Sequence, residues 1–245
     1  MAHFIRVAHR GASGSFPENT LLAFEKAIEA RAEMIELDCQ LSGDGHIVVY
    51  HDERLHRTTG ARGAVKDKTL VELKKLDAGK WRKKSFCGQQ ILTLEEVLDC
   101  VNRRVDLCLD IKHYAGAPRG IELKLLFVVS HYDYLDRTIF SSFDYNCLRR
   151  LKELAPDVRL GVIYDNGIHE DPFAVAQEIE AASIHVRKEL TSRDFLDTAW
   201  NAGLDVFVWT VNELREMEKF ASLGVQGIVS DFPERLVKLQ ARKQR

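Results

Sequence analysis

The chain has 245 residues, 45% of them hydrophobic and 29% charged, a length for one large domain or two small ones and a balance that excludes disordered and collagen-like proteins. Thirty-five basic against 37 acidic side chains leave a net charge of −2, so no general field draws the chain to nucleic acid or to an anionic membrane, and any anion is bound locally. No apolar run reaches the ~20 residues of a membrane span, the start MAHFIRVAHRG carries no signal-peptide pattern, and five cysteines without a C-x-x-C pair point to reduced thiols and a cytoplasmic location.

Taken in order, short β-branched runs alternate with stretches of helical period from end to end. Strands are predicted at 4–9, 34–41, 106–111, 138–141, 159–163, 183–186, 205–209 and 227–230. The helix predicted over 21–30 places Leu21, Phe24, Ala27 and Ile28 on one face, and the helix over 94–101 opens with a Thr93 to Glu96 capping box. Eight strands with helices between them predict an α/β fold of the (β/α)8, or TIM-barrel, class.

A further strand-like run, 46–50, follows the second strand after Ser42-Gly43-Asp44-Gly45, too few residues for a parallel crossover, so it returns as a hairpin. If Asp44-Gly45 is a two-residue type I′ loop, Leu41 pairs with Val48 and Asp38 with His51. The stretch after His51 is some 30 to 40 residues longer than a βα unit requires, which predicts an inserted subdomain at about 53–91 with its own Thr69 to Glu72 capping box. Its basic run, 80–84, reads as a solvated face.

In such a barrel, function sits at the C-terminal ends of the strands. Here those ends are polar: His9-Arg10 after the first, Glu36 and Asp38 on the second, His51-Asp52 after the hairpin, Asp110 and Lys112 on the third. Strand alternation puts Glu36 with Asp38, and Asp110 with Lys112, on the same face. Three carboxylates brought together repel unless a cation neutralises them, and an all-oxygen ligand set suits one hard divalent ion, Ca2+ or Mg2+. His9 and His51 beside them suit proton transfer, while Arg10 and Lys112 suit an oxyanion such as phosphate.

The strings HRGASGSFPENTLLAF, IELDCQLSGDGHIVVYHDERLHRTT, LDIK, SSF, WTVN and SDFP resemble, in that order and over essentially the whole chain, the glycerophosphodiester phosphodiesterase family. The resemblance implies a (β/α)8 fold and metal-dependent hydrolysis of small-molecule glycerophosphodiesters to glycerol 3-phosphate and an alcohol. By position it implies His9 and His51 as general acid and base, Arg10 and Lys112 as phosphate contacts, and Glu36, Asp38 and Asp110 as metal ligands. It also implies that Glu18 and Asn19 brace the site and that Phe143 and Trp209 form an apolar wall against the glycerol carbons. Position 110 departs from the pattern, since the family commonly has Glu there.

Two other functions share such a barrel: a phospholipase D acting on lysophospholipids or sphingomyelin, and a non-catalytic phosphoester-binding barrel. No apolar interfacial segment supports the first, and the presence of both histidines and both cations weighs against the second. His185 reads as structural and Arg187 as solvated, and the basic tail over 241–245 as frayed.

Overall fold

The computed structural model describes residues 3–242, so most of the basic tail lies outside the described residues. In chain order the elements are β1 (Ile5–His9), α1 (Leu21–Glu29), β2 (Met34–Leu41), β3 (Ile47–Val49), the short helices α2 (His56–Thr59) and α3 (Leu70–Leu73), β4 (Leu92–Thr93) and α4 (Leu94–Val101). Strict alternation follows: β5 (Asp106–Ile111), α5 (Ile121–His131), β6 (Thr138–Ser142), α6 (Tyr145–Leu154), β7 (Arg159–Tyr164), α7 (Pro172–Glu178), β8 (Ser183–Arg187), α8 (Arg193–Asn201), β9 (Asp205–Trp209), α9 (Leu214–Leu223), β10 (Gly227–Ser230) and α10 (Pro233–Arg242). Eight parallel strands run β1-β10-β9-β8-β7-β6-β5-β2, and β1 pairs with β2 to close the barrel. The expected (β/α)8 architecture is the observed one. α4 begins as its sequence predicts, with Thr93 Oγ1 accepting from the Glu96 N–H at 3.3 Å and Glu96 Oε2 from the Thr93 N–H at 2.8 Å.

Alternation along the strands sorts the apolar residues into layers. Ile35, Leu37, Leu107, Leu109, Val162, Val206 and Val208 face outward into the large cluster under the helices, whereas Val7, Met34, Cys108, Ile139, Phe207 and Val229 fill the barrel interior. Inward residues turn polar toward the C-terminal ends, where Glu36, Asp38, Asp110, Ser141 and His185 replace the aliphatics. Room for the His185 ring comes from Gly161, where a Cβ would lie 2.7 Å from His185 Nε2.

The hairpin differs from the expected register. Leu41 pairs with Ile47 and Gln40 with Val48, and it is the Tyr50 N–H, not that of His51, that bonds the Asp38 carbonyl, at 2.9 Å. The loop has three residues instead of two: Gly45 N–H donates to the Ser42 carbonyl at 2.9 Å, and Gly45 itself sits at φ 84°, the type I turn plus left-handed residue that glycine favours. Contacts from outside the hairpin set this choice. Asp44 accepts from Ser42 Oγ at 2.6 Å and from the Leu70 N–H at the start of α3 at 2.9 Å, and the Gly43 N–H donates to the Lys68 carbonyl at 2.7 Å. The loop is thereby fastened to the segment beyond His51.

That segment packs Leu55, Val65, Leu73, Ala78 and Ile91 against Val48 and Tyr50 of the hairpin in a second apolar cluster, and rejoins the barrel through β4, antiparallel to β3. β4 has two residues, too short to leave a periodic signal in sequence.

Candidate functional site

Asp38 and Asp110 are direct neighbours in the β2–β5 ladder, and Glu36 lies one pleat below Asp38 on the same inward face. All three are buried, and one oxygen from each lies within 4.8 Å of the others. Their charges cannot coexist unaided. Burial, and then the Asp38 charge, push Glu36 up to about 7, burial likewise raises Asp110, and only Asp38, where Lys112 and Arg10 outweigh burial, is held well below the usual carboxylate range. Asp38 Oδ1 and Asp110 Oδ1 are buried without a hydrogen bond. Three converging carboxylates with spare, desolvated oxygens fit a hard divalent cation, and these are the residues that can hold it.

Two cations border the cluster. The Arg10 N–H donates to the Glu36 carbonyl at 2.8 Å and to Glu36 Oε2 at 3.1 Å, its guanidinium reaches Glu18 at 3.0 Å, and its Nε lies 3.3 Å from Asp38 Oδ2 but makes no hydrogen bond. Lys112 Nζ lies 3.0 Å from Asp38 Oδ1 and donates to Asp110 Oδ2. Burial opposes the charge on both, but the neighbouring carboxylates outweigh it and keep both cationic. Asn19 Nδ2 donates to Asp38 Oδ2 at 2.8 Å, so Glu18 and Asn19 both touch the site.

Both histidines line the same mouth, each oriented through Nδ1. His9 Nδ1 is 2.6 Å from Asp231 Oδ1, and Asp231 is further held by Ser13 Oγ at 3.1 Å and Asn212 Nδ2 at 2.7 Å. Those donors outweigh burial and keep Asp231 at about 2, so it is an acceptor. The proton therefore sits on His9 Nδ1, and Nε2, 4.0 Å from Glu36 Oε2, points at the carboxylates. His51 repeats the pattern: its Nδ1 is 2.6 Å from Asp52 Oδ1, and burial lowers the pKa of its ring. Although the register differs from the expected one, His51 still reaches the mouth, because the backbone bends after β3. Gln40 Nε2 donates to the carbonyls of Tyr50 and Asp52 at 2.7 and 3.0 Å, and the Tyr114 hydroxyl to that of His51 at 2.5 Å.

These side chains line one cavity of about 240 Å³ with Phe143, Trp209, Ile163, Ser141, Cys108 and His185. Phe143 and Trp209 meet edge to face at 5.9 Å, and the buried Trp209 indole N–H has no partner. All nine residues singled out in the sequence, His9, Arg10, Glu36, Asp38, His51, Asp110, Lys112, Phe143 and Trp209, therefore meet at one place. His185 is at the floor, stacked on Phe207 at 4.8 Å with Nε2 2.9 Å from Ser183 Oγ. Arg187 is exposed and paired with Asp165 and Glu189.

Sequence reasoning passed over Asp231 and Arg57. Asp231 directly follows the last strand, the same strand-end position that marked the others. Arg57 bonds Asp52 through Nε at 2.6 Å and forks Glu18 with both terminal nitrogens at 2.7 Å. A chain of charges thus runs from His51 through Asp52, Arg57 and Glu18 to Arg10. No sequence periodicity marks Arg57, which sits on a four-residue helix.

Residues 9–235 match the model of the glycerophosphoryl diester phosphodiesterase family. The chain is 41% identical over 235 residues to a glycerophosphodiester phosphodiesterase of Caldanaerobacter subterraneus subsp. tengcongensis, covering 95% of this chain and 96% of that protein. It is 32% identical to one of Bacillus subtilis, covering 94% and 84%. Among solved structures it is similar to an Oleispira antarctica phosphodiesterase in complex with the product sn-glycerol-3-phosphate, with TM-score 0.88, 29% identity and 96% of each chain covered. It is also similar to a glycerophosphodiester phosphodiesterase of Thermotoga maritima, with TM-score 0.78, 30% identity and coverage of 98% and 100%.

Proposed function

The chain belongs to the glycerophosphoryl diester phosphodiesterase family and is a phosphoric diester hydrolase; from that premise and the geometry of the barrel mouth we propose that it hydrolyses soluble glycerophosphodiesters to glycerol 3-phosphate and an alcohol, with His9 and His51 as the acid/base pair. The observation that carries this reading is the pair of histidines, each fixed through Nδ1 by its own carboxylate, lining one cavity with three buried carboxylates and two half-buried cations. A binding protein would need the cations but has no use for two imidazoles with oriented, free Nε2 atoms.

Glu36, Asp38 and Asp110 are the residues to hold one divalent ion, Ca2+ or Mg2+, which when bound supplies Lewis-acid polarisation of a phosphoryl oxygen. Arg10 and Lys112 bind the non-bridging phosphoryl oxygens and favour the charge that accumulates on them in the transition state. One ring, neutral with Nε2 unprotonated, takes the proton of the attacking hydroxyl, and the other, entering as the imidazolium, gives its Nε2 proton to the departing alkoxide, so that one P–O bond forms as the other breaks and the two rings exchange protonation states. Phe143 and Trp209 pack on the glycerol carbons, and the unpartnered Trp209 N–H donates to a glycerol hydroxyl. Among the described residues no helix is long and apolar enough to cross a membrane, and all five cysteines are unpaired, which supports work in a reducing, cytoplasmic setting on a water-soluble diester.

A coupled assay for glycerol 3-phosphate on glycerophosphoethanolamine, with and without chelator, tests the reading. Release that stops on chelation and returns with Ca2+ or Mg2+ is expected. Binding of the diester without release overturns it in favour of a silent barrel.

A further inference from the structure

The reaction cavity continues past His9 and Arg10, which it shares with a second cleft of about 300 Å³ bounded by Gly14, Trp81, Arg82 and Phe232. On the His51 side the adjoining recess holds only about 10 Å³. With glycerol 3-phosphate seated between the carboxylates and the Phe143–Trp209 wall, the alcohol half of a diester has space on the His9 side alone of these two.

The charges there are unevenly spent. Glu18 is taken by Arg10 and Arg57, and Asp231 by His9, Ser13 and Asn212. Arg82 donates to the Gly14 carbonyl and makes no ion pair among the described residues. The Trp81 indole is fixed by its N–H on the Ala78 carbonyl at 2.9 Å, and the Arg57 guanidinium already stands 5.8 Å from its ring. Of the two carboxylates in the cleft, Glu18 is already paired with two arginines and Asp231 alone could meet a cationic headgroup, which would also face Arg10 and Arg82, while an anionic headgroup would find in Arg82 a planar guanidinium with no carboxylate partner. The 80–84 run, read from the sequence as a solvated face, turns one member, Arg82, into this cleft.

Resting on the phosphodiesterase reading above, we propose that this cleft holds the alcohol half of the substrate and that Arg82 is a specificity-determining residue, selecting headgroups that carry an anionic group of their own.

Two matched pairs of substrates isolate that group: glycerophosphoserine against glycerophosphoethanolamine, which differ by one carboxylate, and glycerophosphoinositol 4-phosphate against glycerophosphoinositol, which differ by one phosphate. The readout is the ratio of kcat/KM within a pair. A single charge-assisted contact at an open rim predicts a ratio of about 10 in favour of the anionic member in at least one pair, and which pair shows it tells carboxylate from phosphate. The ratio falls to about 1 in Arg82→Gln, inverts in Arg82→Glu, and is largely retained in Arg82→Lys. It also shrinks at high salt. Turnover with ratios near 1 in the wild type, or ratios unmoved by Arg82→Gln, overturns the subsite and leaves the phosphodiesterase reading standing. No turnover of any of the four diesters overturns both.

Discussion

His9 and His51 each give Nδ1 to a carboxylate, so each presents one nitrogen, in one tautomer, to the same space. Replacing Asp231 by Asn keeps the shape but offers an amide that can donate as well as accept, which frees the imidazole to place its proton on Nε2. Asp231→Asn is expected to lower kcat by about 10²-fold with little change in KM; equal loss in KM would mean that Asp231 contacts substrate. The carboxylates and the histidines should also separate by what each variant binds. Glu36→Ala and Asp38→Ala are expected to abolish turnover and weaken divalent-cation binding in a calorimetric titration. His9→Ala and His51→Ala should lose about 10²- to 10⁴-fold in turnover yet bind the cation as the wild type does. A histidine variant that no longer binds the ion refutes the division of roles.

Among the elements, β2 and β5 set the distance between the acidic side chains proposed to hold the ion, because Asp38 and Asp110 are cross-strand neighbours with no freedom of register. Lengthening one of them tests whether reach limits the site. Asp110→Glu is expected to keep activity and to shift the relative activation by Ca2+ and Mg2+, since the smaller ion tolerates less departure from octahedral geometry. Unchanged activity with unchanged preference would take position 110 out of the ligand set. The same two strands show what a sequence discloses. Period-two alternation gave the inward face of 34–38 and of 106–110, because every residue along a strand reports on burial. The hairpin register carries no such signal: it was decided by Asp44 and Gly43 bonding to Leu70 and Lys68, partners more than twenty positions away. His51 nevertheless arrives at the mouth through Gln40, ten and twelve positions from the carbonyls it bonds, and Tyr114, 63 positions from His51. Local pattern named the catalytic candidates, whereas the residues that aim them, Asp231 and Arg57, became visible only with the fold.

At the scale of the molecule, the barrel interior carries a buried imidazole. Burial lowers His185 to about 3, far below the ~6.5 of an unfolded chain. Between those values the unfolded state binds a proton that the folded state refuses, so stability is fully present above about pH 6.5 and is lost as the pH falls toward 3, at about 1.4 kcal/mol per pH unit. From pH 7 to pH 5 the wild type should therefore lose about 2 kcal/mol more unfolding free energy than His185→Gln. Parallel slopes in denaturant titrations would show that the ring is protonated in the folded protein. The closure of the barrel has a consequence for how the chain comes into being. His9 and Asp231 are 222 positions apart, on the first strand and just past the last. A nascent chain leaving the ribosome already holds every carboxylate of the acidic cluster, both cations and both imidazoles well before Asp231 emerges. Until that last strand docks beside the first, His9 has no anchor for Nδ1 and turns freely. With His9 in its proposed role, catalysis is expected to begin only with the final stretch of synthesis, and the appearance of turnover during translation would time the moment at which the ring of strands shuts.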